Sequence, residues 1–233
     1  MIVFFHKYPY MIFSVFIILV LGVFYLYFPH QRRPLIVSAL FASPQALASL
    51  ALVPDYWRPD YAVEIRWNIG LEDVLFNFYM GGVAWLLATS TMHKRMEVKY
   101  STPTVFRRYL FTLLFGSVLG GILYLNGMRP IDISFFVFSL WILSLLCLRP
   151  SFWPLALSGA TLGFLYAVVM YRLNVFLWPG ISDYFNWSKL WGLRIGSIPM
   201  EEYIYFTLFC SAWALVAAFM LDVHMHIKKP YRL

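Results

Sequence analysis

No lysine and none of the five histidines falls inside a long apolar run of this chain, and cysteine occurs only twice. Without an embedded lysine there is no place for a retinal Schiff base, which excludes a rhodopsin-like pigment. His6, His30, His93, His224 and His226 all lie outside the runs. The pair His224-x-His226 reads as a solvated tail rather than a metal site. Cys147 and Cys210 sit within apolar runs at no metal or redox spacing, so they read as buried small hydrophobes. There is no Gly-rich phosphate loop, no dinucleotide fingerprint and no nucleophile elbow. Neither a cofactor nor a metal is therefore expected. Charged residues make up only 12% of the chain, too few for an ordinary soluble domain.

What is present is apolar length. Hydrophobic residues reach 61%, with mean hydropathy +0.70. Seven runs, near 10–28, 35–53, 70–88, 106–125, 131–148, 152–176 and 199–219, each have the roughly 17–25 residues that a membrane-spanning helix needs. Continuous runs indicate a helical bundle, since a β-barrel would show ten-residue alternations. The fold class expected is therefore all-α, a polytopic membrane protein with seven transmembrane helices in a single domain, 1–233. Residues 1–28 read as the first span, because no small-residue cleavage site follows them.

The net charge of +7 would suggest nucleic acid in a soluble protein; here the cations sort by membrane side. Arg32, Arg33, Lys94, Arg95, Lys99, Arg107, Arg108, Arg149, Lys228, Lys229 and Arg232 share the side of the C-terminus. Most acids collect on the other. An inner (plasma) membrane location follows, with the N-terminus outside and the C-terminus cytoplasmic. The partner expected is the bilayer, with no nucleic acid; a homo-oligomer stays open.

The two halves repeat. Asp55-Tyr56, Arg66 and Glu72-Asp73 recur in the same order as Asp183-Tyr184, Arg194 and Glu201-Glu202. Interfacial aromatics are common in any membrane protein, but they do not explain this ordered succession. The first repeat (helices 1–3) takes residues 1–104, a linking helix 4 takes 105–127, and the second repeat (helices 5–7) takes 128–233. An odd linking helix makes the repeats parallel, in a 3+1+3 layout. Helices 3 and 7 would then face each other, and four carboxylates would converge on one cavity.

Neighbouring residues on a helix point about 100° apart, so one acid of each pair is expected to line the cavity while the other caps or pairs. Asp73 shares a face with Asn77, and Glu201 with Tyr205, at i+4 spacing. Arg66 and Arg194 are each expected to neutralise one acid. Ordinary helix-start chemistry would account for one acid per helix, with Pro199 at the first helical position. It accounts less well for two, because a helix dipole contributes only about 0.3–1 kcal/mol per charge.

The run Pro199-Met200-Glu201-Glu202 followed by aromatics resembles the Pro-x-Glu-Glu/Asp signature of the small, non-flavin lycopene cyclases, the heterodimeric bacterial enzymes and their fused forms. Length, seven spans and an acidic signature in each half extend the resemblance over the whole chain. In the first half Gly70 stands where that family has proline, leaving Glu72 and Asp73 as the match. The resemblance implies a cofactor-independent carotenoid cyclase acting on a hydrophobic polyene or terpenoid, with Glu201, Glu202, Glu72 and Asp73 as acid–base residues. A carboxylic acid would protonate a terminal alkene of a ψ end group, aromatic faces would shelter the cation, and a carboxylate would remove a proton. Two other readings stay open: a small 3+1+3 transporter, and a non-catalytic partner subunit in a lipid pathway. On the topology above, cysteine-accessibility labelling should find position 55 reactive from outside the cell and position 94 protected there.

Overall fold

A computed structural model describes residues 7–53, 55–99 and 101–225. His6, His226, Lys228, Lys229 and Arg232 lie outside the described residues. Long helices dominate: α1 (Pro9–Tyr27), α2 (Arg32–Ala42), α3 (Leu71–Thr89), α4 (Thr102–Leu125), α5 (Pro130–Leu148), α6 (Trp153–Leu177) and α7 (Met200–Met220). Helix α2 continues as a 3₁₀ stretch, Ser43–Ala48, and a last turn, Ser49–Leu52. The change begins beside Pro44, which has no N–H to donate and whose ring disturbs the preceding turn. Among the described residues six rods are long and apolar enough to cross a membrane: Pro9–Tyr27, Pro29–Leu52, Thr102–Leu125, Pro130–Leu148, Pro150–Leu177 and Met200–Met220. Helix α3 matches them in length at 19 residues. Glu72, Asp73 and Asn77 make it more polar than the others.

Helices α3 and α7 form the centre and pack on each other. Helices α1 and α2 cover α3, α5 and α6 cover α7, and α4 lies against α5 and α7. Small residues let the backbones approach. A Cβ on Gly81 would collide with Ala42 and lie 2.6 Å from the Ser38 carbonyl oxygen. A Cβ on Gly159 would lie 2.8 Å from that of Cys210, and one on Gly163 would lie 2.7 Å from the Cys210 Cβ. Not every glycine pair works this way: Gly121 has nothing within 4 Å and faces open space. Trp213, fully buried on α7, donates its indole N–H to Ser38 of α2 at 3.0 Å to Oγ, and Ser38 donates to the Gly81 carbonyl of α3 at 2.7 Å. Three helices are thereby joined in the interior.

At one end of the bundle the helix starts of α3 and α7 lie together behind two hairpins. The first is β1 (Glu64–Arg66) with β2 (Ile69–Gly70), the second β4 (Arg194–Ile195) with β5 (Ile198–Pro199). The opposite end is closed by β3 (Met96–Val98) paired antiparallel with β6 (Val223–Met225). There Asp222 is held by Arg108 at 2.8 Å and by Arg149 at 3.4 Å. The Arg108 hydrogen bond holds the Asp222 carboxyl below its usual value. A carboxyl depressed on folding stabilises above its unfolded pKa and loses that contribution as the pH falls through the folded one. Asp222→Asn should therefore lower stability to thermal unfolding at neutral pH, by about 1 kcal/mol for a part-buried pair at the bundle's end. The difference from the parent should close as the pH drops below 3.8.

Candidate functional site

Each hairpin delivers an acidic pair to a helix start, by a different turn. Trp67 and Asn68 both have positive φ, as a two-residue type I′ turn requires, whereas only Gly196 does so in the second, as in type II′. Behind the turns the two acids of each pair part company. Glu72 and Glu201 are fully buried and turn back toward their own hairpins. Glu72 Oε1 accepts the Ala62 N–H at 2.6 Å; Glu201 Oε1 accepts the Trp191 N–H. In both cases the partner lies ten residues earlier. The second oxygen of each, Oε2, is buried and has no partner among the described residues.

Asp73 and Glu202 point the other way, into a single cavity of about 120 Å³. On this measure one water needs roughly 10–15 Å³, so several waters or a small apolar group would fit. Asp73 Oδ1 accepts the Tyr10 hydroxyl at 2.9 Å; its Oδ2 accepts the Tyr61 hydroxyl at 2.7 Å and the Gly70 N–H at 3.0 Å. The last is also a helix-capping contact, N3 acid to N-cap N–H. Glu202 accepts the Tyr56 hydroxyl at 2.6 Å and the Tyr171 hydroxyl. Burial, followed by the charge of Glu202, raises the Tyr56 hydroxyl well above its ordinary range. Burial and the Asp73 hydrogen bond raise Tyr61 likewise. These phenols stay protonated, and so remain donors, at any ordinary pH. Phe13, Trp57, Phe76 and Tyr205 make the remaining wall largely aromatic, with Gln45, Ser49, Asn77 and Asn174 as polar exceptions.

Above the cavity the two Asp-Tyr loops pair with each other. Trp57 and Phe185 form an antiparallel bridge; the Arg58 N–H donates to the Tyr184 carbonyl at 2.7 Å, and the Asn186 N–H to the Tyr56 carbonyl at 3.0 Å. Trp57 and Phe185 occupy matching places after the two Asp-Tyr dipeptides, so each loop meets its own counterpart.

Several expectations are corrected here. Two carboxyls, not four, reach the cavity. Arg66 and Arg194 neutralise neither pair: both are exposed, lie 4.3 Å over Trp67 and 5.5 Å over Trp187, and form no salt bridge among the described residues. The acids are satisfied instead by tyrosyl and backbone donors. Asn77 Nδ2 donates to the Asp73 main-chain carbonyl at 2.9 Å, not to its carboxyl. Tyr205 lines the cavity with Glu202 rather than serving Glu201, because Glu201 turns outward. Pro199 is the N-cap of α7 and closes the hairpin; Met200 takes the first helical position. Sequence reasoning missed all four tyrosyl partners of the acids, Tyr10, Tyr56, Tyr61 and Tyr171. Tyrosine is what any bilayer interface favours, so none carried a distinguishing signal. Among the described residues no three His, Cys, Asp or Glu side chains gather as a metal would need.

Gly70 has a physical reason. A Cβ at this position would overlap the Tyr61 ring and stand 2.7 Å from Glu72 Oε2. The Tyr61 ring crosses Gly70 to reach Asp73, in the space a proline would fill. No match is found among protein-family models, curated proteins or solved structures. The crowding at Gly70 is directly testable. Gly70→Ala should cost about 1–3 kcal/mol through overpacking. With Tyr61→Ala in the same chain the loss should shrink, giving a coupling of about 0.5–3 kcal/mol in a double-mutant cycle of thermal unfolding.

Proposed function

We propose that this chain is a cofactor-independent isoprenoid cyclase working within a membrane, with a lycopene-like ψ end group as its substrate. The observation that carries the reading is the single aromatic-lined cavity into which Asp73 of one half and Glu202 of the other both project. Carbon–carbon ring closure of this kind is redox-neutral. An acid adds a proton to the terminal trisubstituted alkene, the resulting tertiary cation is attacked by a neighbouring double bond, and loss of a proton from an adjacent carbon restores an alkene. One C–H bond forms, one C–C bond forms, and one C–H bond breaks. Two carboxyl groups, one protonated and one not, supply both transfers. Aromatic faces stabilise the cation by about 0.5–2 kcal/mol each.

Asp73, whose donors include a backbone N–H, is the group we assign as the carboxylate that removes the proton. Glu202, with two tyrosyl partners that can turn to accept as well as donate, is assigned as the acid. Glu72 and Glu201 act as positioning residues that hold the hairpins to the helix starts. The frame belongs to the same reading: α3 as a seventh span, two parallel three-helix repeats joined by α4, and the acidic end outside the cytoplasm. The matched hairpins, the ten-residue Glu-to-backbone bonds and the self-pairing loops support the repeat. Below the cavity the interior is filled by Trp85, Trp213 and their neighbours, and the far end is closed by β3–β6. A dead-end site of this kind suits chemistry better than passage.

Pigment analysis of lycopene-accumulating cells expressing the chain tests the proposal: cyclic carotenoids are expected, and unchanged lycopene would count against it. Glu202→Gln and Asp73→Asn should each lower turnover about 10²–10⁴-fold, the usual range for losing an acid or base, while the protein still accumulates in the membrane. Arg66→Ala and Arg194→Ala should leave turnover within about a factor of two or three, as for exposed substitutions worth under ~0.5 kcal/mol. Full activity of both amide variants would show that these carboxyls only hold helix starts.

A further inference from the structure

A second cavity, of about 510 Å³, lies between the 3₁₀ stretch of the second rod, α4 and α5. It adjoins the acid cavity: Gln45, Ala48, Leu52 and Tyr205 line both. Along α4 it runs from Leu113 to Tyr124 and along α5 from Pro130 to Trp141, about 16 Å of helix axis in each case. That is roughly half of a ~30 Å hydrocarbon core. Its floor on α4 is Gly116, Ser117, Gly120 and Gly121, whereas Phe111, Phe115 and Ile122 lie on the exposed far side of the same helix.

Small residues alone could mean only an unfilled helix contact. Two buried polar groups indicate an occupant. Trp141 is 7% exposed, and its ring edge approaches Gly116, yet its indole Nε1 has no hydrogen-bond partner among the described residues. The same holds for Gln45 Nε2, at the junction of the two cavities. An N–H with no acceptor can rest on the π face of an unsaturated chain, a weak contact that a saturated acyl chain does not offer.

We propose that this cleft binds the linear unsaturated chain of a long isoprenoid whose end group occupies the acid cavity. The assignment rests on the cyclase reading for the end group, and adds what that reading leaves open: a requirement for a long polyene, supplied by α4 and α5. The chain runs down the cleft from the acidic end of the bundle toward the middle of the bilayer. The irregular turn of the second rod at Ser43–Ala48 places Gln45 and Ala48 on the boundary, where they line both cavities.

The test uses the full chain in phosphatidylcholine vesicles with and without lycopene, carrying photoreactive p-benzoylphenylalanine in place of Gly121 or, about 100° further round α4 on its exposed far side, of Ile122. Open space around Gly121 leaves room for the probe. Lycopene adducts in clear excess at position 121 over position 122 are expected. Equal adducts at both positions, or phospholipid adducts alone at 121, would overturn the proposal. Gly121→Phe should in addition lower turnover of lycopene about tenfold by overfilling the cleft, with Ile122→Phe unchanged. The two readings fail separately. Lycopene captured at 121 by a chain that never cyclises it would remove the cyclase and keep the cleft. Cyclisation without capture at 121, and indifferent to Gly121→Phe, would remove the cleft and keep the cyclase.

Discussion

A carboxyl group buried among apolar helices must be satisfied by partners its own helix does not have, and the acidic end of this bundle is arranged around that need. The cost of leaving such a group unpartnered is several kcal/mol. Glu202 is served by Tyr171 from α6 and by Tyr56 from the loop of the other half. Asp73 is served by Tyr10 from α1 and Tyr61 from the first hairpin. Each bond therefore fixes one element relative to another. The Tyr56 bond is the one that crosses between halves; with the Trp57–Phe185 bridge it seats the loops over the cavity. The core glycines then set how closely the helices carrying these groups can approach.

Much of this was readable from the chain before any coordinates. Apolar length alone located the helices: the run near 10–28 is Pro9–Tyr27, that near 131–148 is Pro130–Leu148, and that near 199–219 is Met200–Met220. Bilayer thickness makes length a strong signal there. The acidic pairs were equally plain. Direction was not. Glu201 and Glu202 differ by one residue, and which of them faces the cavity depends on where the hairpin hands over to the helix. The i+4 pairing of Glu201 with Tyr205 was sound helix geometry applied to the wrong member of the pair. Arg66 and Arg194 misled for another reason: opposite charge and nearness in sequence say nothing of direction, and a guanidinium at the water boundary keeps its hydration and stacks on indole instead.

The halves are alike in frame and unlike in chemistry. Glu72 and Glu201 make the same bond at the same ten-residue reach, so the hairpin-to-helix joint is repeated. At the neighbouring position the halves diverge. Pro199 completes one joint with a ring; Gly70 completes the other with empty space that the Tyr61 ring takes. A tyrosine thus reaches Asp73 from a direction for which Glu202 has no counterpart, and a backbone N–H adds a further donor. Two carboxyls of the same kind are given different surroundings, which is the condition for different acid–base roles at one pH.

On the proposed chemistry each cycle leaves the two carboxyls with exchanged protonation, Glu202 having given a proton and Asp73 having taken one. The site must be reset before it can act again. Direct return needs a path through groups that both donate and accept, and carboxyls joined only to N–H donors would lack one. Phenolic hydroxyls have that capacity. Tyr56, bonded to Glu202, belongs to the loop bridge that closes the cavity, and Tyr61, bonded to Asp73, is in the half-exposed hairpin beside it. Both acids are therefore bonded through a tyrosine to the segments at the mouth of the bundle. The same tyrosines that make two buried carboxyls tolerable also give each of them a route to exchange a proton without opening the apolar wall on which a carbocation depends.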